Sequence, residues 1–317
     1  VESGEITAEE ASLAAFIPVA EDITAEADSG GHTDHRAALA MLPGLLRLRD
    51  TLQMKYGYAA PPRIGLAGGI ATPHAVAAAF SMGADYIVTG SVNQACIESG
   101  VGDTVRAMLA RASQTDVAHA PAADMFEMGV TVQVLKKGTR FAERASKLYE
   151  YYRRYASLED IPEIERQKLV DTIFRAPLAD IWEATAAFFA RRDPAQLAKA
   201  SADPRHKMAL IFRWYLGQAS RWANEGTPGR EEDYQIWCGP AMGAFNDWAR
   251  GSFMEAVEER RAALVGYNLL FHGAVVMRAA ALRGQGVSFS LSAEMISPLR
   301  KEELKEYWHS ISEGVSP

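Results

Sequence analysis

A short apolar strand runs into a glycine corner at Ile64-Gly65-Leu66-Ala67-Gly68-Gly69-Ile70. Thr72-Pro73 then predicts a helix start, with the helix running from Ala75 to Met82. The next apolar strand ends in a second corner, Thr89-Gly90-Ser91, about one β/α repeat later. Glycine has no Cβ atom, so backbone N–H groups at both corners can come close to an anion. Such corners bind phosphate in (β/α)8 barrels, and the pair therefore predicts a phosphorylated cofactor.

Three strands of this kind are predicted in the first hundred residues, near residues 22–27, 63–67 and 85–90. A closed barrel of this class needs eight strands. We therefore expect an α/β fold that holds the C-terminal part of a TIM (β/α)8 barrel, about strands 6 to 8, with further strands upstream of the chain. The alternating run at residues 130–135 is either one more strand or an extended arm across the barrel face.

Long amphipathic helices rich in aromatic residues follow Phe141. Asp193-Pro194 and Asp203-Pro204 each place a capping acid before a proline, which predicts a new helix at each point. We expect a partial barrel over residues 1–140, a helical insertion over 141–285, and a C-terminal tail with a short helix over 286–317. The aromatic side chains of the insertion are predicted to form helix core rather than a ligand site: Phe188, Phe189, Phe212, Trp214 and Tyr215.

Composition excludes several classes of protein. The 317 residues are 48% hydrophobic, enough for a sizeable core, and a net charge of −7 argues against nucleic acid or an anionic membrane as the main partner. The sequence contains no run of about 18 apolar residues, and no signal-peptide pattern opens it. Cys96 and Cys238 are too far apart for a disulfide framework or a zinc motif, and we expect both to be buried. The cytoplasm is the expected location.

His32 is the leading catalytic candidate. A predicted strand runs through Glu26-Ala27 into Ser29-Gly30-Gly31-His32, so the imidazole lies where a barrel strand would end. Barrel enzymes keep their active sites at that face, and histidine can transfer protons near neutral pH. Alternatively, His32 caps a loop or is structural. His32, Asp34 and His35 together give only a weak zinc signal, because they lie within four residues and no distant fourth ligand is evident. We therefore expect no metal.

Six segments together resemble the PfaD-type enoyl reductases of bacterial polyunsaturated fatty acid synthases and trans-acyltransferase polyketide assembly lines, which in turn resemble the nitronate monooxygenase flavoproteins. The resemblance covers nearly the whole chain to about residue 285. The segments that carry it are residues 26–34, 67–70, 89–94, 120–129, 212–217 and 233–243.

The resemblance implies an FMN-dependent barrel with a helical insertion of the FabD type. Such an enzyme uses NADPH to reduce the double bond of an enoyl thioester on an acyl carrier protein, as a component of a fatty acid or polyketide synthase. By position, His32 matches the histidine beside the flavin and is expected to polarise the thioester or handle a proton. The residues expected to bind the cofactor are Ser29, Gly30, Gly31, Ala67, Gly68, Gly69, Gly90 and Ser91.

Two departures qualify the resemblance. Family members carry Asn at the position of His35, and they begin with about five further strands. We therefore expect the isolated chain to bind FMN poorly and to be inactive. The alternatives are a nitronate-type flavin oxidase and a non-catalytic interaction module. The sequence leaves a homo-oligomer open.

Three further residues have two interpretations each. Trp237 is either a packing corner or the wall of an acyl channel. Asp124 and Glu127 either line the cofactor face or cap a loop, and the sequence favours the loop.

Overall fold

The predicted strand, corner and helix are present in a computed structural model, which describes residues 2–290 and 296–312. The strand spans Arg63–Ala67 and the helix Pro73–Ser81. The Thr72 hydroxyl accepts a hydrogen bond from the Ala75 N–H (3.3 Å), and Pro73 occupies the first helical turn, where its missing N–H costs nothing. Gly83 follows the helix with a φ of +98°, a conformation that favours glycine.

In the described residues there are six strands: β1 (Asp22–Glu26), β2 (Gly31–His32), β3 (Arg63–Ala67), β4 (Tyr86–Val88), β5 (Val117–Pro121) and β6 (Thr131–Leu135). The helices of the same residues are α1 (Ala8–Leu13), α2 (Ala38–Tyr56), α3 (Pro73–Ser81), α4 (Ser91–Gln94), α5 (Asp103–Ala110), α6 (Phe141–Arg154), α7 (Glu163–Leu169), α8 (Leu178–Arg192), α9 (Pro194–Ala202), α10 (Pro204–Glu225), α11 (Pro240–Ala249), α12 (Ala262–Gly284) and α13 (Lys301–Ser312).

The contacts divide the chain into two units, and the division differs from the predicted boundaries at 140 and 285. The first unit comprises Val1–Ser29, Thr33–Glu98 and Ala241–Pro317, and the second comprises Gly30–His32 and Ser99–Pro240. The reason is the packing of α12, which lies against α3 and so joins the first unit rather than the helical region. Gly273 allows this close approach, because a Cβ there would lie 2.6 Å from Val76 Cγ1.

The first unit contains a parallel sheet in the order β1-β3-β4, as the sequence predicted for residues 22–27, 63–67 and 85–90. Ala67 at the end of β3 pairs with Glu26 on one side and Val88 on the other. The buried side chains of the sheet and of α3 form its core: Ala25, Ile64, Leu66, Val76, Ala77 and Ala79. The α/β class is thereby confirmed in its coarse form, as a parallel sheet with helices.

Helix α12 is long and mostly apolar, although the sequence has no unbroken run of about 18 apolar residues. Within the part of the chain that the structure describes, it is the one helix long and apolar enough to cross a membrane, with a mean hydropathy of 1.3 and 28% of the stretch buried. Asn268 and His272 interrupt its apolar residues, so the sequence shows no unbroken apolar run there. One helix that passes this test by length and composition does not assign the chain to a membrane.

The second unit combines an antiparallel sheet with the long helices. The sheet has the order β2-β6-β5, so residues 131–135 form a strand and not an extended arm. Phe212 and Tyr215 are fully buried in the helical core, as predicted, but Phe188 is 46% exposed near the end of α8. There, Ile181 and Thr185 supply the buried face instead.

A buried ionic cluster closes the helical core. Asp233 is fully buried and accepts hydrogen bonds from Arg144, from the Tyr215 hydroxyl (2.9 Å) and from Arg230 (3.1 Å). Arg230 also donates to the carbonyl oxygens of Ile173 (3.1 Å) and Phe174 (2.7 Å). The cluster thus ties α6, α10 and the segment before α8 together, and its charges offset one another.

Candidate functional site

Two glycine corners lie at the same edge of the parallel sheet. Gly68 and Gly69 directly follow β3, and Thr89 and Gly90 follow β4, which pairs with β3 in register. The carboxyl ends of parallel neighbours meet at one edge, so the corners are side by side within the first unit. This is the arrangement that a phosphate group needs if both corners are to bind it.

The backbone of the corners leaves room for an anion. Gly68 and Gly69 have φ values of +86° and +75°, and a Cβ on Gly68 would lie 2.5 Å from the carbonyl oxygen of Ala27. A Cβ on Gly69 or Gly90 would meet no atom within 4 Å, and both glycines are exposed. Within the described residues, neither N–H is hydrogen-bonded to a backbone acceptor. Backbone N–H groups without a backbone acceptor, with space around them, can bind a phosphate.

The predicted site residues fall in both units. Ser29, together with the residues of the glycine corners (Ala67, Gly68, Gly69, Gly90 and Ser91), lies in the first unit, whereas Gly30, Gly31 and His32 lie in the second. Ser29 donates a hydrogen bond to Glu26 (3.0 Å), and Ser91 is buried at the start of α4. The sequence predicted His32 at the end of a parallel strand. Instead, it lies in the short antiparallel strand β2, opposite Val132 of β6.

His32 is paired with a carboxylate that is distant in the sequence. Its Nε2 lies 3.0 Å from Oδ1 of Asp124, with the two side chains 40% and 61% exposed. Burial would raise the pKa of Asp124, but the hydrogen bond from His32 and nearby backbone N–H groups hold that pKa below its ordinary value. An ionised carboxylate only accepts, so Nε2 carries the hydrogen in this pair and Nδ1 is the ring nitrogen that does not face Asp124.

Trp237 packs against the same histidine. Its ring is nearly perpendicular to the imidazole, with centroids 6.0 Å apart and an interplanar angle of 73°. Gly31 has a φ of +86°, and a Cβ there would lie 3.4 Å from the indole. Trp237 also bridges to Val134 of β6 and remains 43% exposed. Its contacts are those of a packing residue, one of the two interpretations from the sequence, and its role as the wall of an acyl channel stays a prediction.

Asp124 lies in a short loop between β5 and β6. The Ala122 N–H donates to the Val130 carbonyl (2.9 Å), which closes the loop, and a 3-10 turn spans Phe126–Met128. Sequence analysis favoured a loop cap for Asp124; its carboxylate does accept hydrogen bonds from the backbone of Asp124 and Met125, and it also pairs with His32. The two partners are 92 residues apart, so no local pattern links them. The one sequence signal for both is that they lie in segments that carry the family resemblance, residues 26–34 and 120–129.

The residues after His32 make their own contacts in the first unit. Thr33 donates to Asp28 (3.0 Å), His35 Nδ1 lies 3.2 Å from the same carboxylate, and Asp34 pairs with Arg36 (3.3 Å). His35 has a φ of +59°, a region in which Asn is enriched, so Asn at this position in the resembled family is compatible with the backbone. Among the described residues, no group of three His, Cys, Asp or Glu side chains is placed to hold a metal.

The two cysteines are buried and have raised pKa values. Both are fully buried, and burial raises the pKa of Cys96 to about 11 and that of Cys238 to about 12. The reactive thiolate is therefore scarce at neutral pH. This agrees with the prediction that both are small buried hydrophobes.

Comparison with known proteins identifies relatives among lipid and polyketide synthases. The chain is 51% identical over 259 residues to one of the polyunsaturated fatty acid synthase subunits of Thraustochytrium sp., with 80% of the chain aligned. It is 45% identical over 272 residues to the polyketide biosynthesis protein PksE of Bacillus subtilis, with 86% aligned. Residues 155–234 match the inserted helical domain of the [acyl-carrier-protein] S-malonyltransferase family, which agrees with the predicted FabD-type insertion.

The chain is also similar to a solved enoyl reductase structure over most of its length. The enoyl reductase domain of MlnA, from the macrolactin biosynthesis cluster of Bacillus amyloliquefaciens, matches with a TM-score of 0.82 and 38% sequence identity over 88% of this chain. The chain spans 62% of that domain, 35% of PksE and 17% of the fatty acid synthase polypeptide. It is thus homologous to synthase components and to part of an enoyl reductase domain.

Proposed function

We propose that this chain forms part of a trans-acting, FMN-dependent enoyl-[acyl-carrier-protein] reductase that uses NADPH. The observation that carries the proposal is the pair of open glycine corners at one edge of the parallel sheet, where exposed amides at Gly69 and Gly90 fit a flavin phosphate. The similarity to the MlnA enoyl reductase domain supports the substrate class, and the relatives in fatty acid and polyketide synthases support the pathway. We expect it to act in the cytoplasm.

The chain's own residues would divide the work. Gly68, Gly69 and Gly90, with Ala67 and Ser91, would hold the phosphate end of the cofactor. When bound, FMN supplies hydride from NADPH to the β-carbon of the enoyl thioester. His32 would handle the matching proton. With Nε2–H donated to Asp124, protonated Nδ1 can hydrogen-bond the thioester carbonyl as enolate charge develops, or deliver a proton to the α-carbon.

Trp237 and the helical insertion would serve the carrier-bound substrate. The partly exposed indole beside His32 would give an apolar surface for an acyl chain. The insertion, residues 155–234, is a large helical surface for which a small free substrate has no use. We therefore propose acyl carrier protein and other synthase components as partners.

A nitronate oxidase is the second candidate, because it would use the same phosphate corner and histidine. The large insertion favours the reductase. A non-catalytic interaction module is the third.

One assay separates the three candidates. The protein encoded by the full open reading frame would be purified with FMN. It would be assayed with NADPH and a crotonyl carrier-protein thioester, and separately with a nitronate and O2. NADPH oxidation that depends on the thioester supports the reductase. Oxygen uptake driven by nitronate alone supports the oxidase, and inactivity with both substrates supports the interaction module.

A further inference from the structure

The Asp124–His32 pair cannot hold its own geometry. The side chains are 40% and 61% exposed, and exposed ion pairs add little to stability. Two strand pairings fix His32 on β2, but Asp124 lies in the loop between β5 and β6. The distance of 3.0 Å between the two groups must therefore be set by whatever holds that loop.

Two anchors join the loop to α10, and the first is apolar. Phe126 is fully buried and contacts the Phe212 ring edge-on, with centroids 6.3 Å apart. It also packs against Tyr149 (5.4 Å) and Tyr152 (5.3 Å) of α6. This anchor fixes the depth of the loop, because a buried ring resists withdrawal from its pocket.

The second anchor is an ion pair between Glu127 and Arg213, the residues that directly follow Phe126 and Phe212 in the sequence. Arg213 donates from its guanidinium to Oε1 of Glu127 (3.2 Å), and the two side chains are 24% and 26% exposed. His206 Nδ1 lies 3.8 Å from the same oxygen, too far for a hydrogen bond, and its Nε2 lies 2.9 Å from the side-chain oxygen of Gln196. Burial lowers the pKa of His206, so Arg213 is the cation that faces Glu127 at neutral pH.

The geometry points to Arg213 as a positioning residue that, through Glu127, orients the loop presenting Asp124 to His32. Arg213 belongs to the helical insertion, whereas Glu127, Asp124 and His32 do not. The insertion would thereby help to position Asp124 beside His32. This inference rests on the proposed function where it assigns His32 to the reaction, but the contacts themselves are independent of that assignment.

The test reads the imidazole directly. The protein encoded by the full open reading frame, with histidine labelled by 15N, would be compared by NMR as wild type and as Arg213→Met, with the His32 signals assigned from a His32→Gln variant. Wild type is expected to hold His32 mainly as the Nε2–H tautomer, because Asp124 accepts from that nitrogen. Arg213→Met is expected to shift it toward a mixture, and Arg213→Lys to restore part of the wild-type population.

Arg221→Met is the matched control. Arg221 lies on the same helix and pairs with Glu225 at 2.7 Å, in an exposed position away from the loop. It should leave the His32 tautomer unchanged. Combining Arg213→Met with Glu127→Gln should add little to the single change, because both remove one interaction.

The same variants in the reductase assay should separate turnover from binding. Arg213→Met is expected to lower kcat about tenfold with little change in KM, an effect typical of lost orienting partners. A wild-type His32 tautomer in Arg213→Met would overturn the inference, as would an equal shift in Arg221→Met. If the tautomer shifts while wild-type protein reduces no enoyl thioester, the positioning role stands and the proposed function falls.

Discussion

Replacing Gly69 by alanine tests whether the corner after β3 binds a phosphate. Gly69 has a φ of +75°, and a methyl group there would meet no protein atom within 4 Å. The change therefore costs only the strain of alanine in the left-handed region, about 1–2 kcal/mol. Gly68 is a poorer choice, because its methyl group would collide with the Ala27 carbonyl oxygen and disturb the fold.

Gly100 provides a control with the same strain. Its φ is also +75°, and a Cβ there would also meet nothing within 4 Å. Gly69→Ala and Gly100→Ala should therefore lower the free energy of unfolding by similar amounts. Only the methyl group on Gly69 would enter the space proposed for the FMN phosphate. Losing one hydrogen bond to a charged group costs about 1.5–3 kcal/mol, which corresponds to about 10–100-fold in affinity.

The assay titrates FMN with the protein encoded by the full open reading frame and monitors binding by the quenching of FMN fluorescence. Thermal unfolding of the two variants without FMN checks that their stabilities match. Gly69→Ala should bind FMN about 10–100-fold more weakly than wild type, and Gly100→Ala should bind as wild type does. Equal affinities in both variants would refute the assignment of this corner to phosphate.

Three further predictions concern other charged groups. Asp124→Asn should lower turnover of enoyl thioester about tenfold, since an amide no longer enforces Nε2–H on His32; the check is steady-state kinetics, and an unchanged kcat would contradict it. Asp233→Asn should cost about 3–5 kcal/mol in urea unfolding because the buried Arg144 and the partly buried Arg230 lose a counter-charge, whereas Asp247→Asn, at an exposed pair, should cost under about 1 kcal/mol. Burial lowers the pKa of His272 from 6.5 to about 4, so the unfolded chain binds its proton first and the unfolding free energy falls as pH drops through that window. His272→Phe should flatten this pH dependence in urea titrations, and an unchanged slope would count against it.

Helix starts could be predicted because their signals are local. Thr72-Pro73, Asp193-Pro194 and Asp203-Pro204 each place the capping side chain within three residues of the N–H it accepts from. The parallel strands were equally accessible, because each is a short apolar run ending at a turn. The corners at Gly69 and Gly90 followed from those strands.

The surroundings of His32 could not be predicted, because they depend on distant pairings. His32 lies opposite Val132 in an antiparallel sheet, and its partner Asp124 comes from the loop between β5 and β6. No periodicity links residues so far apart. The exposure of Phe188 was missed for a similar reason, since helical spacing does not show where the core ends.

The most direct test of the reductase proposal is a single turnover. The protein encoded by the full open reading frame, with FMN bound, would be reduced by NADPH without oxygen. It would then be mixed with a crotonyl carrier-protein thioester while flavin absorbance is followed. We predict rapid return of the oxidised flavin spectrum with one saturated thioester formed per flavin, and a slower return in His32→Gln. A flavin that stays reduced with the thioester until oxygen is admitted would contradict the reductase assignment.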